Sequence, residues 1–345
     1  MSNTSLPIIA LTLGDPAGIG PELAVKLVAR KDLMGQARVV VVGDEWVWED
    51  AQRLTGLRFN LSRIDSFADP RIVSSESPLF LPTQSVQKSE IVPSIASAAG
   101  GKSVLQVLRF CIAAAIRGEL DAICFAPLNK LAMKMGGLGY DDELHMFAHE
   151  LGVKGYFCEF NVLGQIWTSR ITSHIPLRDV ATTIDKNRVK DATRLIYQAL
   201  LQAGFAKPRI AVAALNPHAG EGGTCGREEI DVIAPAIREC QAEGIIAEGP
   251  YSADTIFLKA RAHLCDAIVT MYHDQGQIAL KLMGFEKGVT VQGGLPIIIT
   301  TPAHGTAFDI VGQNRANPGA IAEAFGLAVR MAAHVRRSKI AAKPA

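Results

Sequence analysis

The chain has no excess of charge of either sign, no paired-cysteine motif and no apolar run of membrane length. Its 35 Lys and Arg against 34 Asp and Glu leave a net charge of +1, which argues against wrapping nucleic acid or adhering to an anionic membrane. A small molecule is the expected partner, with no nucleic acid and no membrane. The opening MSNTSLPIIALTLGD carries no basic n-region, and no apolar stretch approaches the roughly 20 residues of a spanning helix. The sequence therefore predicts a cytoplasmic protein. The cysteines, Cys111, Cys124, Cys158, Cys225, Cys240 and Cys265, form no C-x-x-C pair. In a chain of this size they read as reduced core thiols.

Repeats and low-complexity tracts are missing as well. What is present is an alternation of β-branched runs (IIALTL, RVVVVGD, DAICFAP, RIAVAALNP, DAIVTMY) with helical stretches such as GKSVLQVLRFCIAAAIRG and REEIDVIAPAIRECQAEG. Continuous rather than alternating hydrophobicity in the strands points to βαβ units around a largely parallel sheet. The class is α/β, and 345 residues suffice for two domains at about 100–200 residues each. Polar segments at 62–89 and 136–142 are expected loops or insertions, and RANPGAIAEAFGLAVRMAAHVRR an amphipathic closing helix.

Two glycine-rich stretches imitate nucleotide motifs. SIASAAGGKSV resembles a P-loop, but the position of its first glycine is Ala96, so an ordinary helix entry is expected and Lys102 carries no catalytic role. LGDPAGIGPELAVKL follows the first strand, and Gly14, Gly18 and Gly20 could let backbone approach a phosphate or cofactor at a helix N-terminus, with Asp15 and Glu22 facing a cleft. It fails the dinucleotide fingerprint, because Leu23 occupies the third glycine position counted from Gly18.

Three histidines follow strand-like runs: His174 in WTSRITSHIPL, His218 in VAALNPHAGEGG and His273 in IVTMYHDQG. Residues beyond the carboxyl ends of parallel strands point at ligand sites. Three neutral nitrogens suit a divalent transition metal with an open position, and three separate hydrogen-bonded loop histidines are the competing reading. His145 and His149 share a helix face without the H-E-x-x-H arrangement and are read as an exposed or cleft-lining pair. His263 and His334 are read as surface residues.

The blocks GDPAGIGPE, APLNK, SHIPLRD, LNPHAGEGGTCGREE, GPYSADTIF, MYHDQGQIALK and HGTAFDIVG together resemble the 4-hydroxythreonine-4-phosphate dehydrogenase family of the vitamin B6 pathway. The resemblance spans residues 14 to about 312 and implies an isopropylmalate dehydrogenase-like fold of two α/β/α domains with a shared cleft. Residues 1–130 plus 303–345 are the expected cofactor side, and 131–302 the metal and substrate side with the dimer contacts. It implies a homodimer whose active site lies at the subunit interface, and NAD or NADP as cofactor. His174, His218 and His273 become ligands of a divalent metal, zinc first with Mg, Mn or Co as alternatives, one ligand crossing the dimer interface. The loop from Ala303 to Pro318, with His304, Gly305, Thr306, Ala307 and Asp309, resembles the superfamily's adenosine-side loop, and Gly14, Asp15 and Gly18 join it. Asp254, Asp274 and Lys281 are the implied catalytic groups. The implied reaction is metal-assisted oxidation of a hydroxy acid followed by decarboxylation.

The chain departs from the family where substrate is held. The family's G-H-T-E loop is replaced by DDELHMF, which puts Leu144 and His145 at or near its contact positions. The asparagine and arginine that follow the lysine are Thr290 and Ile299. Isoleucine offers none of the charged donors that an arginine fork brings to phosphate. The sequence therefore predicts a substrate without the phosphate, for example an aromatic cis-dihydrodiol carboxylate. A true 4-hydroxythreonine-4-phosphate dehydrogenase is the alternative substrate reading. A zinc hydrolase would leave the 303–318 loop unexplained, and a non-catalytic metabolite-binding relative would be expected to lose a histidine or the lysine.

Overall fold

The run Arg38–Asp44 is buried at all seven positions, the pattern of a strand covered on both faces. It is the second of twelve among the described residues. In chain order the strands are β1 (Ile8–Thr12), β2 (Arg38–Asp44), β3 (Ser62–Arg63), β4 (Leu79–Thr83), β5 (Ala122–Phe125), β6 (Cys158–Leu163), β7 (Ile166–Arg170), β8 (Arg209–Ala213), β9 (Ile246–Tyr251), β10 (Ala267–Thr270), β11 (Val289–Gly293) and β12 (Ile298–Pro302). The computed structural model describes residues 6–341, and the chain forms two units, one up to Lys154 and again from Leu295, the other Gly155–Gly294.

In the first unit the order is β3-β4-β2-β1-β5-β12, and all five pairings are parallel. The buried helix Ala98–Ile116 contributes Val104, Leu108 and Ile112 to a core shared with Val40, Ile123 and Phe125. That helix passes a length-and-composition test for crossing a membrane, but Lys102, Gln106 and Arg109 interrupt its apolar residues, most of which pack in this core. The P-loop lookalike, residues 94–104, spans the start of this helix. Ser97 caps the helix by accepting from Gly100 N at 3.1 Å, and a Cβ on Gly101 would stand 1.8 Å from the carbonyl oxygen of Ala132. Gly101 therefore serves close helix packing rather than phosphate binding.

The unit boundaries differ from those expected at 130/131 and 302/303. Helix Lys130–Met135 packs on Gly101, and helix Glu143–Glu150 inserts Met146 and Phe147 into the first core, with Phe147 6.1 Å from Phe125. β12 pairs with β5, which draws 295–302 into the same unit. The outermost residues of the expected 1–130 and 303–345 segments lie outside those described.

The second unit has the order β11-β6-β7-β10-β8-β9. β6 is antiparallel to both β11 and β7, so the sheet is less parallel than the sequence predicts. Gly164, at φ +58°, makes the tight β6–β7 hairpin, and β6 shows the alternating burial of a strand with one polar face. Two further expectations are corrected. The 62–89 segment contains β3, β4 and the short helix Arg71–Ser74. Of the six unpaired cysteines Cys225 is exposed, whereas burial pushes the Cys111 and Cys124 thiols up to about 12. The closing helix runs Gly319–Ala341.

Candidate active site

β7 and β10 are parallel neighbours whose last residues, Arg170 and Thr270, are paired. The chain leaves both strands on the same side, and the histidines that follow meet: the rings of His174 and His273 have centroids 5.6 Å apart, tilted by 41°. His273 opens helix His273–Gly284, and its Nδ1 lies 2.6 Å from Asp274 Oδ1. A carboxylate behind Nδ1 fixes the tautomer and leaves Nε2 as the ligating nitrogen. Gln275 anchors the helix start, accepting from Met271 N at 2.7 Å and donating to Ala214 O at 2.8 Å. Lys281, exposed, lies two turns after His273 on the same helix face. Asp254 stands exposed in the first turn of helix Ala253–Arg261.

His218 lies in an unusual turn in which His218, Ala219, Gly220, Glu221 and Gly222 all have positive φ. Consecutive left-handed residues cost roughly 1–2 kcal/mol each where a Cβ is present. The buried Glu229 offsets this: Oε1 accepts from Leu215 N at 2.9 Å and Asn216 N at 2.7 Å, and Oε2 from Asn216 Nδ2 at 2.9 Å. Among the described residues no group of three His, Cys, Asp or Glu side chains is placed to hold a metal. One chain thus brings His174 and His273 together but does not add His218. Two imidazoles, one backed by a carboxylate, have the donor chemistry of a divalent transition-metal site and lack a third ligand.

The candidate substrate residues are scattered. Leu144 is buried, while His145 is half exposed and its Nδ1 is 2.7 Å from Asp142 Oδ1. Burial raises the pKa of Asp142, but hydrogen bonds from the His145 side chain and backbone outweigh it and the net shift is downward. Thr290 is buried on β11 and its hydroxyl accepts from Asn161 Nδ2 at 3.4 Å. Ile299 has no exposed surface and sits in the apolar core of the first unit.

The candidate cofactor residues come together. Gly14, at φ +73°, lies so close to the chain after β5 that a Cβ would be 2.6 Å from Pro127 O. Ile19 N donates to Thr306 O at 3.1 Å, and a Cβ on Gly18 would meet Thr306 Cβ at 2.8 Å. Around Gly305 there is open space, Ala307 is left-handed, and His304 and Asp309 flank this stretch. Asp15 is buried; its Oδ1 accepts from Ala17 N at 2.8 Å, its Oδ2 has no hydrogen-bond partner, and burial raises its pKa. Beside the turn Thr12, Gly14, Pro16, Asp44, Ser103 and Leu128 line a small pocket, at the carboxyl ends of β1 and β2 where parallel sheets take ligands. These features fit a dinucleotide held without a G-x-G-x-x-G turn.

Sequence reasoning missed the supporting polar groups. Asp44 Oδ1 accepts from Ser85 N at 2.8 Å and its Oδ2 from Thr83 Oγ1 at 3.2 Å; the acid ending a strand was the available signal. Arg170, Asn161, Glu159 and Gln277 form a second network, which no local motif announces.

Residues 35–328 match the family described as pyridoxal phosphate biosynthetic protein PdxA. A protein of Pseudomonas aeruginosa named "Putative 4-hydroxythreonine-4-phosphate dehydrogenase 2" is 51% identical over 336 residues, 97% of this chain and 99% of that one. The crystal structure of 4-hydroxythreonine-4-phosphate dehydrogenase from Klebsiella pneumoniae superposes with a TM-score of 0.83 at 35% identity, covering 96% of this chain and 99% of that one. A terephthalate 1,2-cis-dihydrodiol dehydrogenase from Burkholderia xenovorans LB400 superposes with a TM-score of 0.65 at 30% identity, covering 91% and 95%. The sequence match over most of its length and the shared fold show that this chain belongs to the PdxA family and is a dehydrogenase acting on a CH–OH group.

Proposed function

We propose that this protein oxidises the secondary alcohol of a hydroxy acid with NAD or NADP, assisted by a divalent metal, and that the resulting β-keto acid loses carbon dioxide. The observation that carries this is the approach of His174 to His273 at the ends of adjacent parallel strands, with Asp274 behind His273. His174 and His273 would hold the cation, with His218 of the partner subunit of a homodimer completing the set. When bound, the metal (zinc first, with Mg, Mn or Co as alternatives) supplies Lewis acidity that favours loss of the hydroxyl proton and stabilises negative charge during decarboxylation. Asp274 orients His273, Lys281 meets an anionic group of the substrate or hands on a proton, and Asp254 orients a ligand or relays a proton. The turn at Gly14, Asp15 and Gly18 and the loop at His304–Asp309 receive the dinucleotide.

For the substrate, the relatives' names favour a four-carbon hydroxy acid carrying a 4-phosphate, and the expectation of an unphosphorylated substrate finds no support in the 4-hydroxythreonine-4-phosphate names. One structural fact keeps that second reading in view: Ile299 is enclosed in the core and Thr290 engages Asn161, so neither supplies a charged donor. Steady-state nicotinamide reduction with phosphorylated hydroxythreonine and with aromatic dihydrodiol acids separates the two. A kcat/KM of about 10⁴ M⁻¹s⁻¹ or more for the phosphorylated acid alone rules out the unphosphorylated reading; the reverse result rules out the first.

A further inference from the structure

The metal-site reading leaves open what holds two histidines from separate parts of the chain in one geometry. Asn161 lies in the middle of β6, opposite Thr168 of β7 and Thr290 of β11. Its Oδ1 accepts from Arg170 Nη1 at 2.8 Å and from Gln277 Nε2, and its Nδ2 donates to Thr290 Oγ1 at 3.4 Å. Two of these partners, Arg170 and Gln277, lead to a candidate ligand. Arg170 is 7% exposed; its Nε donates to Ser173 Oγ at 2.9 Å and its Nη2 to Glu159 Oε2 at 2.8 Å. Ser173 immediately precedes His174, which is held at φ +54°. Gln277 follows His273 by one helical turn and shares its face.

We propose that Asn161 is the positioning residue for the candidate metal ligands: one amide clamps the segment delivering His174, through Arg170 and Ser173, to the helix delivering His273, through Gln277. This rests on the metal-site reading above. Ligand atoms must be placed within about 0.2 Å of their coordination distances. Hydrogen bonds from Ile171 N to Thr270 O at 2.9 Å and from Thr172 N and Oγ1 to Met271 O at 3.1 and 2.9 Å already join the two segments ahead of the histidines, and the Asn161 amide adds a side-chain clamp reaching Ser173 and the His273 helix. The Arg170 charge is balanced by Glu159, so the guanidinium acts here as a rigid three-way donor rather than as an anion trap. Removing the Asn161 carbonyl leaves Arg170 Nη1 and Gln277 Nε2 without their acceptor.

The test is Co(II) and Zn(II) affinity of the full-length protein, by competition with a chromophoric chelator, together with the Co(II) ligand-field spectrum. Asn161→Leu is expected to weaken binding by about 10–100-fold, the range for residues that orient ligands, and to alter the Co(II) spectrum while KM for the nicotinamide cofactor stays unchanged. Asn161→Asp keeps both acceptor contacts and is expected to restore most of the affinity. Gln277→Leu, at a half-buried position, releases only the His273 helix and gives the same readout should Asn161→Leu fail to fold. If His174→Ala and His273→Ala abolish binding while both leucine variants bind like the wild type, the positioning role is overturned and the metal site stands. If the histidine variants bind like the wild type, both are overturned.

Discussion

The imidazoles of His174 and His273 lie 5.6 Å apart between ring centroids because Arg170 and Thr270, which end the strands before them, are paired in register. Asp274 bears on His273 Nδ1 at 2.6 Å, so its removal should leave the pair in place but loosen the ring. Asp274→Asn is expected to reduce Zn(II) affinity or kcat by about 10–100-fold. Isothermal titration with Zn(II), beside circular dichroism to show an intact fold, checks this; unchanged affinity and unchanged kcat would contradict the orienting role.

Gly18 and Thr306 tie the first βα turn to the 303–309 loop. A methyl at Gly18 would lie 2.8 Å from Thr306 Cβ, forcing one segment away from the other. Gly18→Ala should raise KM for the nicotinamide cofactor on the order of tenfold, equivalent to about 1.4 kcal/mol, and leave KM for the hydroxy acid near its wild-type value. An equal rise in both would argue for a general loss of fold instead.

Ile299 separates a packing role from a substrate role. Fully buried in the same apolar cluster as Ile123, Phe125 and Phe147, it should on truncation to alanine cost about 2–5 kcal/mol of stability. Denaturant unfolding measures this. A changed KM for the hydroxy acid with no loss of stability would return Ile299 to the substrate site.

Asp15 carries a buried oxygen without a partner, and burial raises its pKa above the ordinary 3.8. Between the unfolded and folded pKa values the native state binds more protons than the unfolded one, so stability falls as pH rises through that window. The cost is fully present above the folded pKa and absent well below 3.8. Asp15→Asn should therefore raise Tm at pH 7, with the gap closing on acidification; a variant less stable than wild type at pH 7 would show that the charge is stabilised in the native state.

The legible parts of the molecule were those written in contiguous residues. The valine run of β2 and the AIVT of β10 announce buried parallel strands, and TMYHDQG places His273 just past a strand end. The β6–β7–β11 antiparallel part was not legible, because CEFNVL and VTVQG acquire meaning only when Asn161 is set opposite Thr290 and Glu159 opposite Gln292. The same holds for Arg170 and Gln277, which meet Asn161 from a neighbouring strand and from a helix more than 100 positions away. Likewise Gly101 imitates a phosphate loop until Ala132 is seen to occupy the space a side chain would need.

The central claim is that a PdxA-family dehydrogenase works here through a divalent metal at His174 and His273. The most direct measurement is NAD or NADP reduction, followed at the nicotinamide absorbance band, on chelator-treated protein with phosphorylated hydroxythreonine and dihydrodiol acids, with and without Zn(II), Mg(II), Mn(II) or Co(II). The account predicts no reduction after chelation, recovery with at least one of these ions, and no recovery in His273→Ala. Full activity in the chelated protein, or full recovery in His273→Ala, would contradict it.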